Sequence, residues 1–349
     1  MNDAILITGG AGFIGSNLAD RLAGEGHDVV IYDALGRAGV ERNLAWLQDR
    51  HGARIRFVHA DIRDAARLSD EVARAAAVFH FAAQVAVTTS LDDPADDYSI
   101  NIAATFNLLE ALRNRAPHVP LIFASTNKVY GDLADLDFAL EDGAYRPTDA
   151  DVRAHGIGET RPLDFHTPYG VSKGAADQYV LDYARSFGLK TCVFRMSCIY
   201  GQRQMGTEDQ GWVAHFLIRA LGGEPITLYG DGHQVRDVLD VRDAVNAYVA
   251  AWQRIDDVAG RAFNLGGGAD NAISLRHLLD HVGTLIGRPV DVRFSDWRAG
   301  DQRYFVADAR AACDALDLPP RRDWRDGVAA LAEWLQEQRA EQPRIGVAA

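Results

Sequence analysis

The 349-residue sequence has little cysteine. Only Cys192, Cys198 and Cys313 are present, and their spacing is not that of a metal site. The first two lie in an apolar run that predicts a buried strand. We therefore expect reduced thiols in the core and no metal site.

The sequence also lacks an excess of basic residues and any long apolar run. A net charge of -13 and a pI near 5.3 speak against a surface for nucleic acid or anionic membranes. The most apolar window, residues 75–87, is too short to span a bilayer, and no signal peptide precedes the first predicted strand. We expect a soluble cytoplasmic protein that holds any phosphate-bearing ligand with local basic residues and backbone amides.

The sequence does contain a glycine-rich loop between a strand and a helix. Residues 4–8 form a short apolar strand, the string Gly9-Gly10-Ala11-Gly12-Phe13-Ile14-Gly15 follows, and helical periodicity begins at Asn17. The glycines fit both G-x-G-x-x-G and G-x-x-G-x-x-G. Either spacing lets backbone N–H groups approach a pyrophosphate at a helix N-terminus. The predicted cofactor contacts in this loop are Gly9, Gly12, Phe13, Ile14 and Gly15.

An acidic residue stands where a dinucleotide-binding unit requires one. The second predicted strand, residues 28–32, ends at Asp33, eighteen residues after Gly15. This is close to the ~20 residues typical of the acid that binds an adenosine ribose. A carboxylate there repels a 2′-phosphate, so NAD is favoured over NADP, although the nearby Arg37 argues the other way.

Two further strand ends carry predicted ligand contacts. Residues 55–60 and 77–82 form the third and fourth strands, and ligands of a doubly wound sheet bind beyond the carboxyl ends of its strands. The residues expected there are Asp61 and Ile62, beside adenine, and Ala82, Ala83 and Gln84, facing cofactor or substrate.

Strands alternating with helices predict an α/β fold, a doubly wound parallel Rossmann sheet with a smaller mixed α/β lobe for substrate. We assign residues 1–196 and about 234–262 to the NAD-binding domain, and about 197–233 and 263–349 to the substrate-binding domain. No internal repeat or low-complexity linker separates them. The acid-rich segment 132–161 is either an overhang above the substrate or a surface insertion.

Residues 164–185 predict a helix that begins with a tyrosine and a lysine on one face. Thr167 is the expected N-cap, Pro168 suits the first helical position, and Tyr169 and Lys173 are four residues apart. A phenol titrates near ~10, but an ammonium one turn away and an oxidised nicotinamide would both favour its anion. Tyr169 could then accept a proton from a sugar hydroxyl.

A hydroxyl follows the fifth strand, residues 121–124. Thr126 leaves that strand beside the predicted cofactor and could bind both the reacting sugar oxygen and Tyr169, so we take it as the third catalytic residue. Asn127 is its neighbour and a candidate substrate contact. Two arginines from distant segments, Arg236 and Arg303, could clamp a diphosphate. Arg203, after the sixth strand, is the remaining candidate for substrate binding.

Together, the glycine loop, Asp33, the Thr126/Tyr169/Lys173 set and the chain length resemble the extended short-chain dehydrogenase/reductases that modify nucleotide sugars. Long strings narrow the likeness to the branch that inverts C2 of CDP-paratose or CDP-tyvelose. They are residues 125–131, 164–185, 209–212, 234–238, 301–303 and 305–308.

The resemblance implies a tightly held NAD that takes hydride from sugar C2 to give a 2-keto intermediate and returns it to the opposite face. By position it makes Tyr169 the base, Lys173 the group that lowers its pKa and binds the nicotinamide ribose, and Thr126 the orienting hydroxyl. Arg236 and Arg303 match positions that contact diphosphate. Relatives often dimerise through the two helices 98–113 and 169–187, so a homodimer or higher homo-oligomer is expected.

Three alternatives stay open from sequence. A 4-epimerase would use the same three catalytic residues on a differently seated sugar, and a non-catalytic NAD sensor or scaffold could share the fold. CDP, UDP and GDP sugars are all possible substrates. A 4,6-dehydratase is disfavoured, because its acid pair beside the threonine is replaced by Asn127 and Lys128.

Overall fold

The computed structural model describes residues 4–298 and 300–345. Its strands are β1 Ala4–Thr8, β2 Asp28–Asp33, β3 Ile55–His59, β4 Ala75–His80, β5 Leu121–Thr126, β6 Phe138–Glu141, β7 Ala144–Pro147, β8 Thr191–Met196, β9 Cys198–Tyr200, β10 Ile226–Tyr229, β11 Val235–Asp240, β12 Arg261–Leu265, β13 Ala272–Ser274, β14 Val292–Ser295 and β15 Tyr304–Phe305.

The α-helices are α1 Phe13–Gly24, α2 Val40–His51, α3 Ala65–Val72, α4 Val87–Asp92, α5 Pro94–Tyr98, α6 Ala104–Arg115, α7 Ala150–His155, α8 Thr167–Phe187, α9 Trp212–Gly222, α10 Val241–Gln253, α11 Ile255–Val258, α12 Leu275–Ile286, α13 Arg310–Leu316 and α14 Trp324–Ile345. A π-helical turn, Ser99–Ala103, joins α5 to α6.

A seven-stranded parallel sheet organises the larger part of the chain, in the order β12-β8-β5-β4-β1-β2-β3. Its central strands β1, β4, β5 and β8 are almost completely buried because both faces of the sheet are covered, whereas the edge strands β3 and β12 carry exposed polar residues. Ile5 and Ile7 of β1 face a core shared with α1, α2 and α10, whereas Leu6 faces a core shared with α3, α6 and α8. The predicted doubly wound Rossmann sheet is confirmed.

The remaining strands form smaller, mixed sheets. β11 pairs in parallel with β9 and β15 and antiparallel with β13, and β10 pairs in parallel with β14. The segment 234–262 was assigned to the larger domain, but its strand β11 lies in a small sheet. In contrast, β12 extends the large sheet to Leu265.

The segment 132–161 is folded although its sequence shows little periodicity. It contains the hairpin β6–β7 and the helix α7. Its main chain joins the C-terminal part of the protein: Ile157 N donates to Val306 O at 2.7 Å, and Tyr145 N donates to His233 O at 3.0 Å. The segment therefore packs against the smaller sheets.

Within residues 4–298 and 300–345, no helix combines the length and the apolar character needed to cross a membrane.

Candidate active site

The glycine loop forms a close turn between β1 and α1. Gly9 has φ +68°, and a Cβ there would lie 2.7 Å from Ala82 N. A Cβ on Gly15 would lie 2.8 Å from Gly10 Cα and would also meet Gly9 O. The N-cap of α1 is Gly12, which offers no side-chain cap, so the first N–H groups of α1 can receive an anion. This cradle fits the pyrophosphate of a dinucleotide.

Asp33 lies beside that cradle, as predicted. Its Oδ2 accepts from Ala11 N at 3.0 Å and its Oδ1 accepts from Leu35 N at 2.8 Å. Burial raises the pKa of Asp33, and these amide donors oppose the rise. The carboxylate is thus fixed next to the loop, where it can accept hydrogen bonds from a ribose.

Asp61 and Ile62 follow β3 at the same edge of the sheet. The Asp61 carboxylate forms an ion pair with Arg63 at 2.6 Å, and the backbone carbonyl of Asp61 accepts a hydrogen bond from Tyr32 OH at 3.0 Å. Ile62 is buried. Because the Asp61 carboxylate is engaged with Arg63, the Ile62 side chain and backbone atoms, rather than the carboxylate, are left for contact with an adenine ring.

Gln84 lies in an irregular segment after β4, which ends at His80, earlier than predicted. Asn101, in the π-helical turn, binds its backbone on both sides: Asn101 Oδ1 accepts from Gln84 N and Asn101 Nδ2 donates to Gln84 O, each at 3.0 Å. Gln84 Nε2 donates to Ala86 O, while its Oε1 is buried with no partner among the described residues. An unpaired acceptor here suits a ligand hydroxyl.

Helix α8 carries Tyr169 and Lys173, but its start differs from the prediction. His166, not Thr167, holds the N-cap position, and Thr167 is the first helical residue with φ +63°. This left-handed conformation strains a β-branched residue. The Thr167 hydroxyl still caps the helix, because its Oγ1 accepts from Gly170 N at 3.4 Å.

Lys173 lies beneath the end of β5. Its Nζ donates to Ala124 O at 2.6 Å and lies 4.3 Å from the centre of the Phe123 ring. Burial lowers the pKa of Lys173 to about 8, against the opposing charges of Asp177 and Asp97. The ammonium is therefore held at the strand end where ligands of this fold bind.

The protein alone does not make Tyr169 acidic, which differs from our expectation. Burial raises the pKa of Tyr169 to about 12; a hydrogen bond with Thr126 and the charge of Arg37 oppose the rise, and Asp97 adds to it. Only 8% of the residue is exposed, so desolvation of the anion dominates. A further positive charge at the ring is required for a phenolate at neutral pH.

These two pKa values predict the pH dependence of turnover. A reaction that needs both the Lys173 ammonium and the Tyr169 anion becomes faster with rising pH, because more Tyr169 is ionised. Above about pH 8 Lys173 loses its proton, and the loss of ammonium cancels the further gain of phenolate. We expect kcat to rise up to about pH 8 and then to level. In Lys173→Met the inflection should disappear, and a wild-type kcat that falls between pH 6 and 8 would contradict the assignment.

Thr126 and Asn127 stand at the end of β5. Thr126 Oγ1 donates to Asn127 Oδ1 at 3.3 Å and accepts from Lys128 N at 3.3 Å, and Asn127 Nδ2 donates to Gln302 Oε1 at 3.1 Å. Both residues are buried. The structure thus brings Thr126 to Tyr169 and fixes Asn127 against the C-terminal part of the chain.

A buried ion pair supports this strand end from below. Asp177 Oδ2, on α8, accepts hydrogen bonds from Arg195 Nε at 3.0 Å and from Ser125 Oγ at 2.8 Å. Both charged side chains are at most 5% exposed. Breaking such a pair leaves an uncompensated buried charge and costs about 3–5 kcal/mol, so α8 and β5 are held in fixed register.

The three predicted substrate arginines lie in different surroundings. Arg236 is buried and donates to Asp301 Oδ1 and Gln302 O, each at 2.6 Å. Arg303 is exposed and lies 5.6 Å from the Tyr145 ring. Arg203 lies 3.8 Å from the Trp46 ring and has φ +70°. Arg236 shares Gln302 as a hydrogen-bond partner with Asn127.

Sequence reasoning missed two supports of the site. Ser90, on the short helix α4, accepts from Tyr169 N at 3.1 Å. Asn101 donates to Asp97 Oδ1 at 3.1 Å and to Ser172 Oγ at 3.0 Å, in addition to its bonds with Gln84. The available signal was an asparagine at the start of a predicted helix, which the same helix repeats at Asn107, so it did not mark Asn101. Ser90 had no distinguishing signal.

One group of described residues could hold a metal ion. Ligand atoms of Asp132, Asp164 and His166 lie within 4.8 Å of one another, and His166 Nε2 is 3.0 Å from Asp164 Oδ2. Asp164 is exposed and the other two are partly so. Exposed acidic groups gather in this way without an ion, so the group does not by itself define a metal site.

The chain resembles known proteins over almost its whole length. The profile of the NAD dependent epimerase/dehydratase family matches residues 5–266. The chain is 43% identical to a CDP-paratose 2-epimerase of Salmonella typhi, covering 95% of this chain and 98% of the relative.

Solved structures agree with this. The UDP-glucose 4-epimerase of Thermotoga maritima with UDP-glucose has a TM-score of 0.82 at 30% identity, covering 96% of this chain and 99% of the other. The Thermus thermophilus UDP-glucose 4-epimerase in complex with NAD has a TM-score of 0.80 at 29% identity, covering 95% and 99%. The predicted class, an NAD-dependent nucleotide-sugar epimerase, is confirmed. The chain belongs to the NAD-dependent epimerase/dehydratase family.

Proposed function

We propose that this protein inverts C2 of a CDP-linked deoxysugar, with NAD as a retained cofactor. The observation that carries the proposal is the 43% identity to a CDP-paratose 2-epimerase over 95% of the chain. The 4-epimerases cited above are 29–30% identical. The geometry around Tyr169 suits either position of the sugar, so the choice of C2 rests on the closer likeness.

The cofactor site of this proposal follows the strand ends. NAD held there would supply a hydride acceptor for the sugar carbon and, once reduced, the donor that restores the hydride. Backbone amides of the glycine loop hold the pyrophosphate, Asp33 accepts from the adenosine ribose, Asp61 and Ile62 border the adenine, and residues 82–84 border the nicotinamide half. The supporting observations are the steric cradle of Gly9 and Gly15 and the unpaired Gln84 Oε1.

The proton is handled by residues of the chain. Tyr169 Oη removes the proton of the C2 hydroxyl as the C–H bond breaks, and C2 becomes a ketone carbon. Thr126 Oγ1 holds the same oxygen, and the Lys173 ammonium stabilises the phenolate. After the sugar turns its other face, Tyr169 returns the proton to the oxygen, so no net oxidation occurs.

Elimination of water is not favoured at this site. It would need a carboxylic acid pair at the positions of Asn127 and Lys128, and neither residue is a carboxylic acid; the Asn127 amide is engaged with Gln302. An amide cannot supply a proton to a leaving hydroxyl. Epimerisation is therefore the better-supported reaction of the family.

The test is product analysis with CDP-paratose and UDP-glucose in deuterated water. Inversion at C2 of the CDP sugar, with no deuterium at the inverted carbon, is expected because the hydride returns internally. Inversion of UDP-glucose at C4 with CDP-paratose unchanged would overturn the C2 proposal. No turnover of either, with NAD bound, would support a sensor or scaffold.

We also propose that the protein is a homodimer built on α6 and α8. Large apolar side chains of α5, α6 and α8 are 40–57% exposed on this face: Tyr98, Phe106, Val171, Tyr179 and Phe187. A contiguous apolar surface of this kind is typical of a protein interface. We further propose two domains, an NAD-binding domain around the seven-stranded sheet, which includes β12, and a substrate-binding domain around the smaller sheets, which include β11. A cytoplasmic location suited to three free cysteines completes the proposal.

A charge on this face should separate the subunits. Tyr179 is 44% exposed and its ring lies 5.9 Å from that of Phe106, so Tyr179→Glu would place a carboxylate at the centre of the interface. We expect sedimentation analysis to show dimer for the wild type and monomer for Tyr179→Glu. The control is Phe294→Glu, at a 54% exposed residue on β14. A wild-type monomer would contradict the proposal.

A further inference from the structure

The chain uses lysine very sparingly. It has 36 basic residues, and only Lys128, Lys173 and Lys190 are lysines. Lys190 is a surface residue paired with Asp256 at 2.5 Å. The other two flank Thr126 and Tyr169. A chain that otherwise relies on arginine thus places two compact ammonium groups at the proposed reaction centre.

Lys128 converges with Arg236 on one short segment. Lys128 Nζ donates to Gly300 O at 2.9 Å, while Arg236 Nη2 donates to Asp301 Oδ1 and to Gln302 O. Asn127 and the Gly131 carbonyl hold the Gln302 side chain. Residues 300–302, which we call the strap, are therefore held by hydrogen bonds from two cations.

Two cations, Lys128 and Arg236, lie at this strap. Asp301 accepts from Arg236, and the charges of Asp301 and Asp132 both act on Lys128. An ammonium has three donors, and Lys128 Nζ uses one on Gly300 O. Burial, together with the charge of Arg236, lowers the pKa of Lys128 to about 8, and a ligand anion beside the ammonium would raise it again. An anionic ligand group would complete the cluster.

We propose that Lys128 binds the sugar-side phosphate of the nucleotide diphosphate and thereby seats C2, rather than C4, at Thr126 and Tyr169. This inference rests on the proposed function. In a pyranose, C2 is bonded to the C1 that carries the diphosphate, whereas C4 lies across the ring. A 2-epimerase must therefore draw the diphosphate towards its catalytic hydroxyls. Lys128 follows Thr126 by two residues, and its N–H donates to Thr126 Oγ1.

The test compares nucleotides that differ by this phosphate. Affinities of CDP and CMP are measured by calorimetry on the NAD-loaded wild type and Lys128→Met, with UDP and UMP in parallel so that base preference does not hide the effect. We expect the diphosphates to bind about tenfold to a hundredfold more weakly to Lys128→Met, the loss of a charged hydrogen bond, and the monophosphates to bind within about twofold. Lys128→Arg should recover part of the loss.

The matched control is Lys190→Met, which removes the surface lysine and should change neither affinity. If Lys128→Met weakens mono- and diphosphates equally, the lysine merely secures the strap, and the inference is wrong. Unchanged diphosphate affinity would also overturn it. A selective loss for CDP in an enzyme that inverts C4 would refute the proposed C2 reaction but keep the phosphate contact, so the two failures are distinguishable.

Discussion

Replacing Tyr169 with phenylalanine is expected to lower kcat by about 10²- to 10⁴-fold, the usual contribution of a positioned acid or base. The change removes one oxygen from a residue that is 8% exposed, so the fold should persist. The remaining ring keeps its packing at the start of α8. Affinity for NAD should be nearly unchanged, because the phenol acts on the substrate oxygen.

The physical basis of this expectation is that three other candidate groups, Thr126, His80 and Lys173, are poorly suited to the proton transfer. Thr126 can orient a hydroxyl, but its own hydroxyl is too weakly acidic to ionise and act as a base. His80 is buried, its pKa is lowered to about 3 by desolvation, and its ring nitrogens bond Thr8 and Thr105. Lys173 is engaged with Ala124 O.

The measurement is steady-state turnover of the CDP sugar, with bound NAD quantified by absorbance after denaturation. Tyr183→Phe is a matched control on the same helix, since it deletes a hydroxyl that bonds Glu110 Oε1 at 2.7 Å, away from Thr126. Activity of Tyr169→Phe within about threefold of the control would remove Tyr169 from the mechanism.

A methyl group on Gly15 is expected to abolish measurable NAD binding at micromolar cofactor. Its Cβ would lie 2.8 Å from Gly10 Cα and against Gly9 O, both of them backbone atoms that no rotamer change can move aside. Overpacking of this kind costs about 1–3 kcal/mol of stability. The relaxation must displace the loop, and with it the amides that are aimed at the pyrophosphate.

The comparison is with Gly24→Ala at the other end of α1. There the added Cβ would meet only His51 Cε1, at 3.9 Å, an ordinary contact, and alanine favours a helix over glycine by about 0.5–1 kcal/mol. Calorimetric titration with NAD and thermal unfolding should therefore separate the two variants: lost binding and lower Tm for Gly15→Ala, and normal binding for Gly24→Ala. Equal NAD affinity in both would show that the loop does not cradle the cofactor.

The parts of the site that could be predicted are those written in short stretches of sequence. The Gly9–Gly15 spacing and Asp33 depend on two strands, a turn and a helix start, and they lie close together within one βαβ unit, β1-α1-β2. The start of α8 was displaced by one residue because Thr167 adopts a left-handed conformation that composition does not reveal.

The parts that could not be predicted depend on distant packing. Burial beneath other elements raises the pKa of Tyr169 in the protein alone, so the acidification expected from Lys173 and an oxidised nicotinamide together stays a prediction for the cofactor-bound protein. Arg303 was grouped with Arg236, but successive side chains of an extended segment point to opposite sides. Gln302 is buried towards Asn127, and Arg303 is therefore exposed.

The Asn101 side chain makes the hydrogen bonds that a neighbouring strand would make with Gln84. Its amide accepts from the Gln84 backbone N–H and donates to the Gln84 backbone carbonyl, as a paired strand does in a sheet. Gln84, which borders the proposed nicotinamide pocket, is thus held by a helical residue instead of by the sheet. That residue lies in the π-helical turn, so the extra residue of the turn affects the position of Gln84. Because α5 and α6 border the same turn, a shift of those helices would carry Gln84 with it, and formation of the proposed dimer on this face would then change the shape of the pocket.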